Sequence, residues 1–385
     1  MNKTETNKDF TIVAKTLFGL EEILAKELEN IGATNIKILQ RAVIYKGNKE
    51  ILYKSNLNLR TAIRILKPIK SFEAKNEKEL YNEIKKIDWE EFLSISKTFA
   101  IDGTTSGEIF KHSKYVSLLT KDAIVDKFRD KFGERPSVDI ENPDIRINIH
   151  ITDTNCSVAL DSSGTNLGKR GYKLKQVFAP LSEVLAAGMV LSTSWNGEKN
   201  FIDPMCGSGT IPIEAALIAK NIAPGSFRNF GFENWKDFDK NLWNQLKKDA
   251  KNSITECKIK IFGFDNDENA ISISKENAER AGVLPIISFK KQDFLNSENE
   301  ITESTLVFNP PYGERLMEDD EIIPFYQEIG TQLKHKYNGC DAWILSGNLR
   351  AIKFIGLRPA KKIALFNGPI ECRFNKFELY RGSKK

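Results

Sequence analysis

From Asn200 onward the chain repeats one unit, in which a short apolar run leads into a turn and then a helix-length stretch. Seven strand candidates recur in this way: Phe201–Asp203, Lys260–Phe264, Ile286–Phe289, Leu306–Phe308, Ala342–Leu345, Lys362–Phe366 and Arg373–Leu379. Strands alternating with helices predict an α/β fold built on a parallel, doubly wound, seven-stranded Rossmann-like sheet. In such a sheet ligands sit beyond the carboxyl ends of the strands, so the turn after each strand is where chemistry is to be sought.

The first half reads differently. Phe10–Lys15 is strand-like, Leu20–Ile31 an amphipathic helix ending near Gly32, and Ile36–Tyr45 a strand pair or long strand. A helix over Lys49–Leu57 and a strand over Thr61–Ser71 complete a small α+β unit. A second such unit follows, with helices at Lys78–Phe92 and Ser117–Phe132 and a strand at Thr98–Gly103. Its hairpin joins Ile145–Thr152 to Asn155–Asp161. Leu167–Pro180 is basic and glycine-bearing, as a linker would be, and leads into a helix over Leu181–Trp195. The aromatic, charged stretch Asn221–Asp249 interrupts the first crossover of the sheet as a lid or a surface helix. A chain of 385 residues exceeds one hydrophobic core, and these patterns divide it at 1–70, 71–165 and 166–385.

Several function classes fall away. No segment reaches the roughly 20 apolar residues of a membrane helix, and the polar start Met1–Lys8 lacks a secretory pattern, so a cytoplasmic protein is expected. Five scattered cysteines and three histidines suit neither a zinc site nor a disulfide framework. Residues 1–175 hold 30 Lys and Arg against 25 Asp and Glu, whereas the rest holds 27 of each. The whole cationic surplus thus lies in the first part, which suggests a phosphate-binding face and equally fits an evenly solvated surface.

Asp203-Pro204-Met205-Cys206-Gly207-Ser208-Gly209-Thr210 closes the first of the seven strands. Glycines there admit the required dihedrals and let a ligand approach the backbone. A phosphate-gripping loop would close on Gly-Lys-Ser/Thr, and no lysine is present. S-adenosylmethionine carries an ammonium, a ribose diol and an adenine amine, so it calls for carboxylates. Asp203 suits the ammonium, Asp265 the ribose hydroxyls and Asp293 the adenine amine, with Phe294 along the ring. Met205, Cys206, Gly207, Gly209, Thr210, Asn266 and Asn309 complete the expected cofactor site. Each aspartate alone would serve equally as a helix cap, Asp267 most of all. Cys206 reads as a small packing residue without a catalytic role.

After Leu306–Phe308 comes Asn309-Pro310-Pro311-Tyr312. Its prolines fix φ and remove two N–H donors, which leaves acceptors facing any pocket beside the turn. The Asn309 side-chain oxygen and the Pro310 carbonyl can take both hydrogens of an exocyclic amine while Tyr312 stacks on the ring. Held so, the nitrogen is favoured in the tetrahedral geometry of a methyl-transfer transition state. A rigid surface turn is the plain alternative. Glu314 reads as structural, and Arg315 is open between positioning and structure.

These segments, with Asp161-Ser162-Ser163-Gly164, Arg170-Gly171-Tyr172, Ala179–Glu183 and Phe366–Arg373, resemble the THUMP-domain RNA methyltransferases over nearly the whole chain. Within them the likeness is to enzymes that methylate the guanine 2-amino group of large-subunit ribosomal RNA. The resemblance implies a ferredoxin-like segment and a THUMP domain up to about residue 165 that hold structured RNA. It also implies a class I methyltransferase domain behind them. A monomer without a metal is expected. Some relatives fuse a second methyltransferase domain, so a single activity is expected here. Lys111, Lys114, Lys169, Arg170, Tyr172, Lys173 and Lys175 are the candidate RNA contacts, whereas the acidic Glu77–Glu91 helix is a poor one. An adenine-N6 methyltransferase on RNA or DNA would use the same turn, though one acting on DNA would want a DNA-reading domain, and a glutamine methylase would leave the first 165 residues without purpose. A non-catalytic RNA-binding assembly factor would not bind S-adenosylmethionine.

Overall fold

The computed structural model describes residues 8–173, 181–298, 301, 303–313 and 319–380. The strands of the first half join in one sheet. Its strands are β1 (Phe10–Thr16), β2 (Thr34–Leu39), β3 (Ala42–Gly47), β4 (Ala62–Glu73), β5 (Thr98–Ser106), β6 (Ser137–Val138), β7 (Ile145–Thr152) and β8 (Asn155–Asp161). They lie in the order β2-β3-β1-β4-β8-β7-β5-β6. The long β4 joins the halves, pairing with β1 through Ala62–Leu66 and with β8 through Leu66–Glu73. Helices α1 (Glu21–Asn30), α2 (Lys49–Asn58), α3 (Glu77–Lys85) and α4 (Ser113–Phe132) accompany this sheet. The side chains of Asn48 and Asn76 cap α2 and α3 by accepting from Ile51 N and Glu79 N. The helix expected over Lys78–Phe92 breaks after Lys85. A separate 3₁₀ turn at Trp89–Glu91 follows, in which the Trp89 indole donates to the Ile84 carbonyl (2.8 Å).

The second sheet has the order β11-β10-β9-β12-β13-β15-β14. Its strands are β9 (Phe201–Asp203), β10 (Ile261–Asp265), β11 (Ile287–Lys291), β12 (Thr305–Phe308), β13 (Asp341–Ser346), β14 (Lys361–Asn367) and β15 (Ile370–Glu378). Helices α5 (Glu183–Ser192), α6 (Thr210–Ala219), α7 (Lys240–Asn252), α8 (Glu268–Arg280) and α9 (Asp319–Lys336) punctuate them. Five strands are parallel as expected, but β15 runs antiparallel to both neighbours. Asn367 pairs directly with Ile370 across Gly368-Pro369, and a two-residue hairpin can only join antiparallel strands. The chain builds outward from β9 through β10 to β11, then returns to lay β12 beside β9. That reversal of strand order is where an open α/β sheet forms its binding crevice.

Asn221–Asp249 contains the expected surface helix, α7, one face of which is packed rather than solvated. Its two 3₁₀ turns, Pro224–Phe227 and Gly231–Asn234, and the helix α7 pack on α2 of the first half. Tyr53 stacks on Phe232 at 4.2 Å, and Trp243 meets Phe232 edge-on at 5.1 Å. Phe230, Phe232, Trp243 and Leu246 thereby join the core of the first sheet. This insertion clamps the two halves together.

Candidate active site

The turn after β9 is tied down by its own backbone. Cys206 N donates to Phe264 O (2.7 Å), Gly209 N to Cys206 O (2.8 Å) and Gly207 N to Asp265 Oδ2 (2.8 Å). Ser274 Oγ and Asn277 Nδ2 on α8 donate to the Gly207 and Ser208 carbonyls. Gly209 has φ +78°, and a Cβ there would stand 3.0 Å from Ser274 Cβ and 3.1 Å from the Phe289 ring. It is therefore a left-handed hinge into α6 and a close-packing point, not a wall of the cavity as expected.

Asp203 is 1% exposed. Its Oδ1 accepts from Met205 N (3.1 Å), while Oδ2 is buried with no partner among the described residues. Burial drives its carboxyl well above the usual range, outweighing the opposing Met205 N–H, with a lesser upward push from the nearby Asp265 charge. A cation delivered to this oxygen would restore the charged form. Asp265 holds Gly207 N and Asp267 N, one on each oxygen, which leaves a lone pair on each. Asp267 caps α8 through Asn269 N (2.9 Å), as anticipated. Asp293 is exposed, with Oδ1 accepting from Leu295 N and Oδ2 from Asn296 Nδ2. Cys206 is buried against Ser274 Oγ (3.9 Å), and burial pushes its thiol well up, which fits a packing residue.

The second turn leaves β12 on the strand adjoining β9. Asn309 Oδ1 accepts from the Tyr312 hydroxyl. Burial and the neighbouring Cys372 drive the Tyr312 phenol far above its ordinary range, so it is a neutral donor. The ring packs on Gly347, where a Cβ would come within 2.7 Å of it. Tyr326, buried on α9, donates to the Pro311 carbonyl (3.2 Å) and lies in hydrogen-bond contact with Ser346 Oγ (2.6 Å). Asn348 Nδ2 donates to the Tyr312 carbonyl (3.0 Å). Among the described residues nothing hydrogen-bonds the Pro310 carbonyl.

One cavity of about 650 Å³ runs from the first turn to the second. Asp203, Met205, Cys206, Gly207, Thr210, Asp265, Asn266, Asp293 and Phe294 line one end and Asn309, Pro310 and Tyr312 the other. Sequence reasoning missed Leu181, Phe325, Asn367 and Ile370, which finish its walls. Asn367 and Ile370 lie in a segment noted only for its likeness to other proteins. The supporting Tyr326 and Ser346 carry no local signal at all.

The expected RNA contacts divide. Lys111, Lys114 and Lys169 are exposed, Lys111 pairing with Glu108 (2.7 Å). Arg170 and Tyr172 are each 1% exposed and cannot touch RNA. Both bind the buried Glu214 of α6: Arg170 Nε at 3.2 Å and the Tyr172 hydroxyl at 3.0 Å, both to Oε1. Arg170 also donates to the carbonyls of Arg60 (2.7 Å) and Leu167 (3.2 Å), so residues 167–173 are pinned between the two halves, while 174–180, the rest of the expected linker, lie outside the described residues. Lys173 is half-buried and donates to Leu181 O (2.8 Å). Lys175, Glu314 and Arg315 lie outside the described residues. Among the described residues no cluster of His, Cys, Asp and Glu could hold a metal, and no helix is long and apolar enough to cross a membrane.

A doubly wound sheet with its crevice at the β9/β12 switch point, behind an α+β front module, is the architecture of a class I S-adenosylmethionine-dependent methyltransferase carrying an RNA-binding THUMP domain. Family profiles agree: residues 11–66 match the RlmL ferredoxin-like domain, 74–161 the THUMP domain and 170–376 the RMKL-like methyltransferase domain. The chain belongs to the RMKL-like methyltransferase family. It is 39% identical over 377 residues, 97% of each chain, to slr0064 of Synechocystis, a protein provisionally named an RNA methyltransferase. It is 37% identical over 382 residues to the ribosomal RNA large subunit methyltransferase K/L of Shewanella frigidimarina, covering 98% of this chain but 54% of that protein. The chain thus spans about half the length of that relative. Among solved structures, SMU.472, provisionally called a methyltransferase and crystallised with SAH, superposes with a TM-score of 0.88 at 32% identity. That match covers 98% of this chain and 100% of SMU.472.

Proposed function

We propose that this protein methylates the exocyclic 2-amino group of a guanine in large-subunit ribosomal RNA. One observation carries the reading: the buried, unpartnered Asp203 Oδ2 and the Asn309-Pro310-Pro311-Tyr312 turn face a single cavity from adjacent strands. Bound there, S-adenosylmethionine supplies an electrophilic methyl on a sulfonium. Asp203 takes its ammonium, Asp265 its ribose hydroxyls, and Asp293 with Phe294 its adenine. Asn309 Oδ1 keeps a second lone pair beside the Tyr312 hydroxyl. With the Pro310 carbonyl it accepts the two amine hydrogens, turning the nitrogen lone pair toward the cofactor end. Tyr326 and Asn348 hold the turn's carbonyls, so this geometry is set before substrate arrives. Lys111, Lys114 and Lys169 contribute to the RNA-facing surface.

Nucleoside mass spectrometry decides the matter. Large-subunit RNA from a deletion strain, incubated with purified protein and labelled cofactor, is expected to gain label in N2-methylguanosine. Label in N6-methyladenosine would replace the guanine assignment, and no cofactor binding would favour a non-catalytic assembly role.

A further inference from the structure

The β1–α1 loop of the front module reaches the wall of the acceptor pocket, and nothing in the reading above uses it. Leu20 is fully buried in the core of the catalytic half, where it fills a slot left by Gly188 on α5. A Cβ at Gly188 would lie 2.6 Å from the Leu20 methyls. Gly19 has φ +85°, and a Cβ on it would stand 2.3 Å from the Ala364 carbonyl of β14. The loop is therefore seated on the catalytic half along its backbone.

Phe18, next along, meets Phe366 edge-on at 5.4 Å, and the Arg41 guanidinium covers the same ring at 5.8 Å. Glu21 fastens both arms of this clamp, accepting from Gly19 N (2.7 Å) and Arg41 N (2.8 Å). Phe366 precedes Asn367, which lines the cavity. On the paired strand β15, Cys372 Sγ donates to the Tyr312 hydroxyl (3.8 Å), the group that holds Asn309 Oδ1. A contiguous path thus runs from Phe18 and Arg41 through Phe366, the β14–β15 hairpin and Cys372 to Tyr312 and Asn309.

We propose that Phe18 and Arg41 are positioning residues for methyl transfer: by clamping Phe366 they fix the β14–β15 hairpin, and through its Cys372 the Tyr312–Asn309 pair that orients the acceptor amine. The proposal rests on the methyltransferase reading of the site. It makes the front module part of the active-site framework as well as an RNA holder.

The test uses full-length protein. Phe18→Ala and, separately, Arg41→Ala are expected to lower kcat on large-subunit RNA about tenfold, since small misplacements of reacting groups carry losses of that order or more. KM for S-adenosylmethionine and affinity for RNA should stay within about twofold of wild type, and Phe18→Tyr should restore kcat because it keeps the ring. Added to Tyr312→Phe, which removes the hydroxyl that Cys372 reaches, Phe18→Ala should cost little more. Full turnover in both alanine variants, or additive losses with Tyr312→Phe, would overturn the proposal. Should Phe18→Ala fail to fold, the half-exposed contact of Arg41 still decides it. A wild-type protein with no methyl transfer would instead refute the underlying reading.

Discussion

Replacing Asp203 with asparagine separates what this carboxylate does for the cofactor from what it does to the fold. Its folded pKa is raised by burial first and by Asp265 second. A carboxyl raised in this way stabilises the protein fully below its unfolded pKa, near 3.8, and that contribution is lost as pH rises through the folded value. Asparagine does not ionise, so the free variant escapes the loss. Across the window between the two pKa values the wild type should weaken by roughly 1.4 kcal/mol per pH unit relative to the variant. At roughly 2–4 °C per kcal/mol for a domain this size, the melting temperatures should separate by about 3–6 °C per unit. Cofactor binding should move oppositely: deleting one partner of a buried charge pair costs about 3–5 kcal/mol, a loss of more than about a hundredfold in affinity. Scanning fluorimetry between about pH 5 and pH 7, with and without S-adenosylmethionine, reads both quantities. A melting gap independent of pH, or variant affinity within about threefold of wild type, would refute the assignment of the orphaned oxygen to the ammonium.

Asn309→Ala should keep cofactor affinity by calorimetry but lose roughly a hundredfold in turnover, an oriented acceptor being worth about 3 kcal/mol in the transition state; unchanged methyl incorporation would remove Asn309 from the mechanism. Glu214→Ala leaves Arg170 charged and sealed from water, so it should destabilise by about 3–5 kcal/mol in thermal or urea melts. A variant melting with the wild type would contradict the buried pair. Changing Lys114 and Lys169 together to alanine should lower affinity for ribosomal RNA and reduce the salt slope by up to about 2 in anisotropy titrations; an unaltered slope would place the RNA elsewhere.

What the sequence disclosed was local. The glycine turn, the acceptor turn and the strand–helix alternation are legible because dihedral preference and periodicity are written in neighbouring residues. Arg170 shows the limit. Amid Lys169 and Lys173 it looks like part of a basic linker, and only folding brings Glu214, 44 residues on, against its guanidinium. The insertion around Trp243 was ambiguous for the same reason, since its partner Tyr53 belongs to another helix far earlier in the chain. Asp293 carries the same lesson in reverse. The register after β11 brought it to the cavity, yet both its oxygens also serve the local turn, so a side chain that lines the pocket is at the same time a turn-capping residue.

The contact between the two halves has the character of a core, and this governs how the front module can be tested. Arg60 precedes β4, yet its guanidinium donates to Leu217 O and Ile222 O at the end of α6. Its backbone N–H is held by Glu27, and its carbonyl by Arg170. With Leu20 in the Gly188 slot and Tyr53 stacked on Phe232, the catalytic half borrows apolar and polar partners from the first 61 residues of the chain. A truncation beginning near Leu167 would expose that slot and leave Glu214, Phe232 and Trp243 without part of their surroundings, each a destabilising change of the kind that opens a core. Poor methylation by such a fragment would therefore not distinguish lost RNA recruitment from a loosened site. Point changes at exposed Lys114 and Lys169 probe recruitment alone, and those at Phe18 and Arg41 probe the framework alone, because each pair leaves the buried partners in place.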